Sequence, residues 1–254
     1  LIKMATGNSY SHQKTEKNNK YLLKRFNYRR EYYFYHEYFT NKFLLELDQK
    51  FVAKILKINK NKYEIYYEFF PQKNPIGIKN AINYIDLIKS IHLKSENKGL
   101  NFKLYAKESF RSIPQTFNNI EIRTKKIFAT KNRNNQELIE HLKNLNLFLN
   151  TLKQNIISNS IYSQEKFNHA DSGLHNSIFD NKGRLLLCDL EYAGLDSPIK
   201  QCIDYLLHPK NNNDFDSNQL WLNYFLNNCI HQKDLKYLNF YFSLFAVKWS
   251  IILL

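Results

Sequence analysis

Residues Asn168–Pro209 read NHADSGLHNSIFDNKGRLLLCDLEYAGLDSPIKQCIDYLLHP, and the spacing of polar groups in this stretch decides how the chain is understood. Asp171 is followed five residues later by Asn176, then by the short run SIF, the turn formers Asn181-Lys182-Gly183, and RLLLC ending at Asp189. Two short apolar runs around an Asn-Lys-Gly turn predict an antiparallel hairpin. A hairpin brings the chain back to its starting edge, so Asn176 and Asp189 fall side by side at its open end. Asp171 lies in the loop that feeds that end. An amide and a carboxylate facing each other can hold Mg²⁺, which prefers hard oxygen ligands. A further carboxylate in the feeding loop can orient a hydroxyl and accept its proton.

The charge distribution sets this stretch apart. The 254-residue chain carries a net +14, yet residues 165–216 hold 5 Lys+Arg against 9 Asp+Glu. Residues 73–164 hold 15 against 6. An acidic stretch in a basic protein implies a local task for its carboxylates, while the rest reads as a solvated Lys/Asn-rich surface. No RNA-recognition aromatic motif, KH loop or zinc finger accompanies the charge, so no specific nucleic-acid partner is expected. With 43% hydrophobic and 15% aromatic residues and only 6 glycines, disordered and collagen-like classes are excluded. Three cysteines without CxxC pairing (Cys188, Cys202, Cys229) argue against a disulfide or zinc scaffold and fit a reducing cytoplasm. Cys188 reads as a small buried hydrophobe. No membrane span is expected: the closest stretch, NFYFSLFAVKWSIILL, contains Lys248 and reads as a buried helix. The chain stops inside this run at Leu254, and we expect a truncation there.

Upstream, Lys20–Phe26, Phe51–Ile58 and Tyr63–Phe69 read as strands, the last two joined by the polar tetrad Asn59–Lys62. Arg30–Phe43 has aromatics at helical spacing and predicts one helix. Phe70, Pro71, Asn74, Pro75 and Gly77 form a breaker cluster that predicts a hinge. Beyond it, Ile78–His92, Leu104–Phe128 and Gln136–Ile157 read as helices, and so does the chain from Ile199 onward. The expected layout is α+β: a small lobe at 1–70, a hinge at 71–77, and a helical lobe at 78–254 that embeds the 165–209 segment.

HADSGLHN and the DLE at Asp189–Glu191 stand where protein kinases carry HRDLxxxN and DFG. In this, and in DLEYAGLDSP, the chain resembles the aminoglycoside phosphotransferase and choline kinase family, in its bacterial branch with DxGxHN and DFEYxGxxDP-type motifs. The resemblance covers most of the chain, strongly at 168–209 and weakly at 1–70. It implies a bilobal protein-kinase-like fold, with a small antiparallel-sheet lobe carrying one helix and a larger, mostly helical lobe. It also implies site residues. Asp171 would be the base for the acceptor hydroxyl, and Asn176 and Asp189 would hold Mg²⁺. Gly7, Asn8 and Ser9 would form the nucleotide loop, and Lys24 would hold the α/β-phosphates. Glu31 would orient Lys24, with Glu37 as second choice.

Glu191 takes the place of the DFG glycine as a further metal ligand or a hydrogen-bond partner for the loop. Asp204 matches an acidic residue that usually anchors the catalytic loop. His169 is expected to pack under that loop, and His175 to orient Asn176 or touch substrate. Asp196 reads as a helix cap. Trp221, Tyr205 and Trp249 are either core or a cage for a cationic group. The implied activity is ATP- or GTP- and Mg²⁺-dependent phosphoryl transfer to a small-molecule hydroxyl, on an amino sugar, sugar, choline or aminoglycoside. An inactive kinase-like nucleotide-binding module and a basic nucleic-acid-binding protein are the alternatives. Protein-kinase activity is disfavoured, because no APE-like end follows Asp189.

Overall fold

A computed structural model describes the chain except residues 1–3, 6–8, 17–18, 29–30, 72–77, 98–102, 131–134, 156–160 and 212–213. Strands β1 (Met4–Ala5), β2 (Ser9–Glu16), β3 (Asn19–Phe26), β4 (Ile55–Asn59) and β5 (Glu64–Glu68) form one antiparallel sheet in the order β1-β2-β3-β5-β4. Helix α1 (Glu31–Leu47) packs on it. Strand period two places Leu22, Lys24 and Phe26 on one face of β3. Phe26 meets Phe34 of α1 with ring centroids 5.9 Å apart. Phe34, Glu37, Asn41 and Leu44 recur at helical spacing and are all buried.

The remaining chain forms α2 (Ile78–Asn97), α3 (Ile113–Thr130), α4 (Gln136–Gln154), α5 (Pro198–Leu207), α6 (Phe215–Asn228), α7 (Gln232–Leu235) and α8 (Leu238–Leu253). Between α4 and α5 lie two small antiparallel pairs. One joins β6 (Lys166–Asn168) to β9 (Gly194–Asp196); the other joins β7 (Ser177–Phe179) to β8 (Leu185–Leu187). The second is the hairpin expected from the sequence, with Ser177 opposite Leu187. A large apolar core built around Tyr84, Ile88, Trp221, Phe225 and Leu244 fills the helical lobe. A smaller core of Phe26, Phe34, Ile65 and Phe70 also takes in Leu186 from the hairpin. The hairpin therefore belongs to both lobes and fixes one against the other.

Several boundaries differ from the expectation. The strand expected at 51–58 begins at Ile55, because Phe51 and Val52 turn into the large core and Val52 bridges Leu187. The helix expected from Leu104 begins at Ile113. Leu104 O accepts from Leu195 N, Ala106 N donates to Leu195 O, and the Ser112 Oγ accepts from Gln115 N to start the helix. Strands β1, β2, β6 and β9 were not anticipated. Of the hinge expected at 71–77, only Pro71 lies within the described residues. Among the described residues no helix is long and apolar enough to cross a membrane. Lys248 of α8 is buried, with its Nζ 3.5 Å from Glu108 Oε2.

Candidate active site

The cleft between the sheet and the hairpin is lined by Leu22, Lys24, Tyr67, Asn176, Ile178 and Asp189, among others. Lys24 is buried at its centre. Its Nζ lies 2.9 Å from Glu37 Oε2, 2.5 Å from Asp189 Oδ1 and 3.1 Å from Glu191 Oε2. Burial opposes the charge on Lys24, but Asp189, Glu37 and Glu191 outweigh it and hold the ammonium well above the ordinary lysine range. Tyr67 donates its hydroxyl to Glu37 Oε1 at 2.7 Å, and Ser9 donates to Glu191 Oε2 at 2.7 Å.

Glu31 is corrected by this geometry. It is the exposed first residue of α1 and takes no part in the Lys24 cluster; Glu37 is the partner. The helix doubles back along β3, as the Phe26–Phe34 and Lys24–Glu37 contacts show. Stepping back two strand residues from Phe26 covers about 7 Å. The matching advance along the helix runs from Phe34 to Glu37, three residues or about 4.5 Å, and Glu31, about 9 Å before Glu37, falls short of Lys24.

At the hairpin's open end Cys188 N donates to Asn176 O at 2.9 Å, so Asn176 and the residue before Asp189 are adjacent. Asp189 adopts a left-handed backbone (φ 59), and so does Ala170 (φ 68) beside Asp171. Such conformations in non-glycine residues concentrate at functional sites. Asn176 donates its amide nitrogen to Asp171 O at 2.8 Å, which leaves its amide oxygen as the atom able to meet a cation. The donor set fits Mg²⁺, since Asn176 and Asp189 offer hard oxygens. Glu37, Asp189 and Glu191 bring three carboxylates to a single ammonium, and the two unbalanced charges complement a divalent ion. Burial pushes the Glu37 carboxyl up against the pull of Lys24, and Asp189 and Glu191 add to that rise.

Asp171 sits on the loop from Asn168 to Asn176. Its Oδ1 lies 2.8 Å from His208 Nε2 and accepts from His175 Nε2 at 3.2 Å. Burial works to raise the Asp171 pKa, but these two donors win and hold the carboxyl below the usual range. His175 thus serves Asp171, not Asn176. His169 is buried, with Tyr84 Oη 3.1 Å from its Nδ1 and its Nε2 2.8 Å from Cys188 O. Burial lowers its pKa and raises that of the Cys188 thiol.

The loop is anchored differently from the expectation. Asp196, not Asp204, bonds to it, accepting from Asn168 Nδ2 at 3.1 Å and also from Phe110 N at 2.6 Å. Asp204 instead lies 2.9 Å from Lys200 Nζ, which also reaches Asp196 at 2.9 Å, and accepts from Trp249 Nε1 at 2.8 Å. Ser197, not Asp196, caps α5. The proposed aromatic cage resolves into core: Tyr205 and Trp221 are fully buried and stacked at 4.0 Å, and Trp249 is tied to Asp204. Gly7 and Asn8 lie outside the described residues. Sequence reasoning missed His208 and Asn211, whose Nδ2 donates to Ser172 O at 2.8 Å; their distance along the chain from Asp171 left no signal.

The fold that carries this cleft is shared with several solved structures. The gentamicin complex of aminoglycoside phosphotransferase APH(2")-IIa superposes with a TM-score of 0.64, at 15% identity over 98% of this chain and 82% of that one. ADP-bound aminoglycoside phosphotransferase APH(2'')-Ib gives 0.63 at 14% identity, over 99% and 83%. Choline kinase LicA from Streptococcus pneumoniae gives 0.59 at 16% identity, over 100% and 82%. The chain has the protein-kinase-like fold. No family profile and no curated protein sequence matches it. In kinase-like terms, the sheet with α1 is the small lobe, and the loop from Asn168 to Asn176 with the β7–β8 hairpin is the platform beneath the cleft.

Proposed function

We propose that the chain is an ATP- and Mg²⁺-dependent phosphotransferase that moves the γ-phosphoryl group to a hydroxyl of a small molecule. The observation that carries this reading is the convergence of Lys24, Glu37 and Asp189 in one cleft, with Asp171 on the loop tied to Asn176. Structures of similar fold are named for enzymes acting on choline and aminoglycosides, so a small hydroxyl-bearing acceptor, amino sugar, sugar or choline, is the class to test first.

In this reading Lys24, held cationic and aimed by Glu37, binds the α/β-phosphates. Asn176 and Asp189 would hold the divalent ion, which when bound supplies charge neutralisation for the phosphate oxygens. Asp171 positions the acceptor hydroxyl and takes its proton as the acceptor oxygen bonds to phosphorus and the β,γ-bridging bond breaks, releasing ADP. The chain contributes position and charge, with no covalent step of its own.

The test is Mg²⁺-dependent ADP release against amino sugars, neutral sugars, choline, ethanolamine and aminoglycosides. Acceptor-stimulated release is expected to fall about 10²–10⁴-fold in Asp171→Asn, with ADP affinity retained. A folded protein that binds no nucleotide would sink the proposal.

A further inference from the structure

The His208 ring stands at the end of α5, 37 residues after Asp171, and the loop motif does not include it. Its two nitrogens have different partners. Nδ1 accepts the backbone N–H of Lys210 at 3.1 Å, while Nε2 lies 2.8 Å from Asp171 Oδ1. With the Nδ1 lone pair taken, the ring hydrogen sits on Nε2, the nitrogen that faces the carboxylate. This assignment also disposes of a metal centre. Asp171, His175 and His208 present ligand atoms within 4.8 Å of one another, but a metal would need the lone pair that Nε2 lacks in this tautomer.

The ring is held firmly. It is buried, stacked on His175 at 4.4 Å and set edge-on to Trp249 at 4.9 Å. Three residues on, Asn211 grips the same loop through Ser172 O. With His175 and His208 both on Oδ1, Asp171 Oδ2 has no hydrogen-bond partner among the described residues.

We propose that His208 is a positioning residue for Asp171: it occupies Oδ1, fixes the carboxylate plane, and leaves Oδ2 as the single oxygen that meets the acceptor hydroxyl. This rests on the phosphotransferase reading. The proton of the hydroxyl goes to Oδ2 as its oxygen bonds to the γ-phosphorus and ADP leaves with the bridging oxygen. A displaced carboxylate costs turnover and leaves nucleotide binding alone, since a misplacement of about 1 Å is worth roughly 10²-fold in rate.

The experiment compares His208→Ala, His208→Asn and His208→Gln in acceptor-dependent ADP release. A glutamine amide nitrogen lies as many bonds from Cβ as Nε2 does; an asparagine nitrogen falls one bond short. We expect Ala and Asn to lower kcat by about 10–100-fold with KM for ATP within about twofold, and Gln to recover at least about tenfold of that loss. Equal rescue by Asn and Gln, or an unchanged kcat in Ala, would overturn the role of His208. Long-range ¹H–¹⁵N imidazole spectra of the unsubstituted protein give a readout that needs neither turnover nor a folded variant. The Nε2–H tautomer is expected for His208, and the Nδ1–H tautomer would also overturn the assignment. No acceptor-stimulated turnover in the unsubstituted protein would overturn the phosphotransferase reading itself, while turnover that His208→Ala leaves intact overturns only this inference.

Discussion

Lys24 stands alone among three carboxylates, and that imbalance governs what substitution does there. Removing the ammonium leaves Glu37 and Glu191 buried without their cation. Breaking a buried pair on one side costs about 3–5 kcal/mol. Lys24→Met is therefore expected to lower the urea unfolding free energy by about that amount, and Glu31→Gln to stay within about 0.5 kcal/mol of the parent. Equal effects of the two would refute the pairing. The lysine was legible in YLLK and the partner was not. Both Glu31 and Glu37 lie in the same aromatic helix, and which one faces β3 depends on where the helix begins relative to the strand it crosses.

Two backbones meet closely where β9 runs beside residues 104–106. A Cβ on Gly194 would lie 2.5 Å from Ala106 N and 2.5 Å from Tyr105 C, both backbone atoms that cannot move aside. Overpacking of this kind costs about 1–3 kcal/mol, so Gly194→Ala should lower the chemical-denaturation midpoint clearly. Gly183, at the hairpin tip, has open space around it but a φ of +72°. Gly183→Ala should therefore cost only the conformational penalty of about 1 kcal/mol. A Gly194→Ala protein no less stable than Gly183→Ala would contradict the packing of β9. The hairpin was legible because its two apolar runs and its turn are local. β6 and β9 were not, because each is three residues long and finds its partner across 26 to 30 positions.

At the scale of the molecule, His92 of α2 joins two other elements. Its Nε2 lies 2.8 Å from Phe167 O of β6, and its Nδ1 lies 2.8 Å from Tyr224 Oη of α6. Burial lowers its pKa to about 4. Below about pH 6.5 the unfolded chain protonates this ring, whereas the folded chain refuses the proton until about pH 4. Stability therefore falls as pH drops through that window, by on the order of 3 kcal/mol from this residue. Burial depresses His169 and His36 in the same direction. We expect the urea midpoint to fall between pH 7 and pH 5, with a shallower slope in His92→Gln. An identical slope in that variant would remove His92 as the cause.

The order of lobes, the hairpin, and the trio Asp171, Asn176 and Asp189 were determined by the sequence alone, because each depends on contacts between near neighbours or on a motif of fixed spacing. The choice of Glu37 over Glu31, the anchoring of the loop by Asp196, and the grip of His208 and Asn211 on Asp171 and Ser172 were decided only by tertiary structure. The reason is the same in each case. A polar side chain far along the chain gains its role from the distance and direction at which packing delivers it, and no local pattern encodes either.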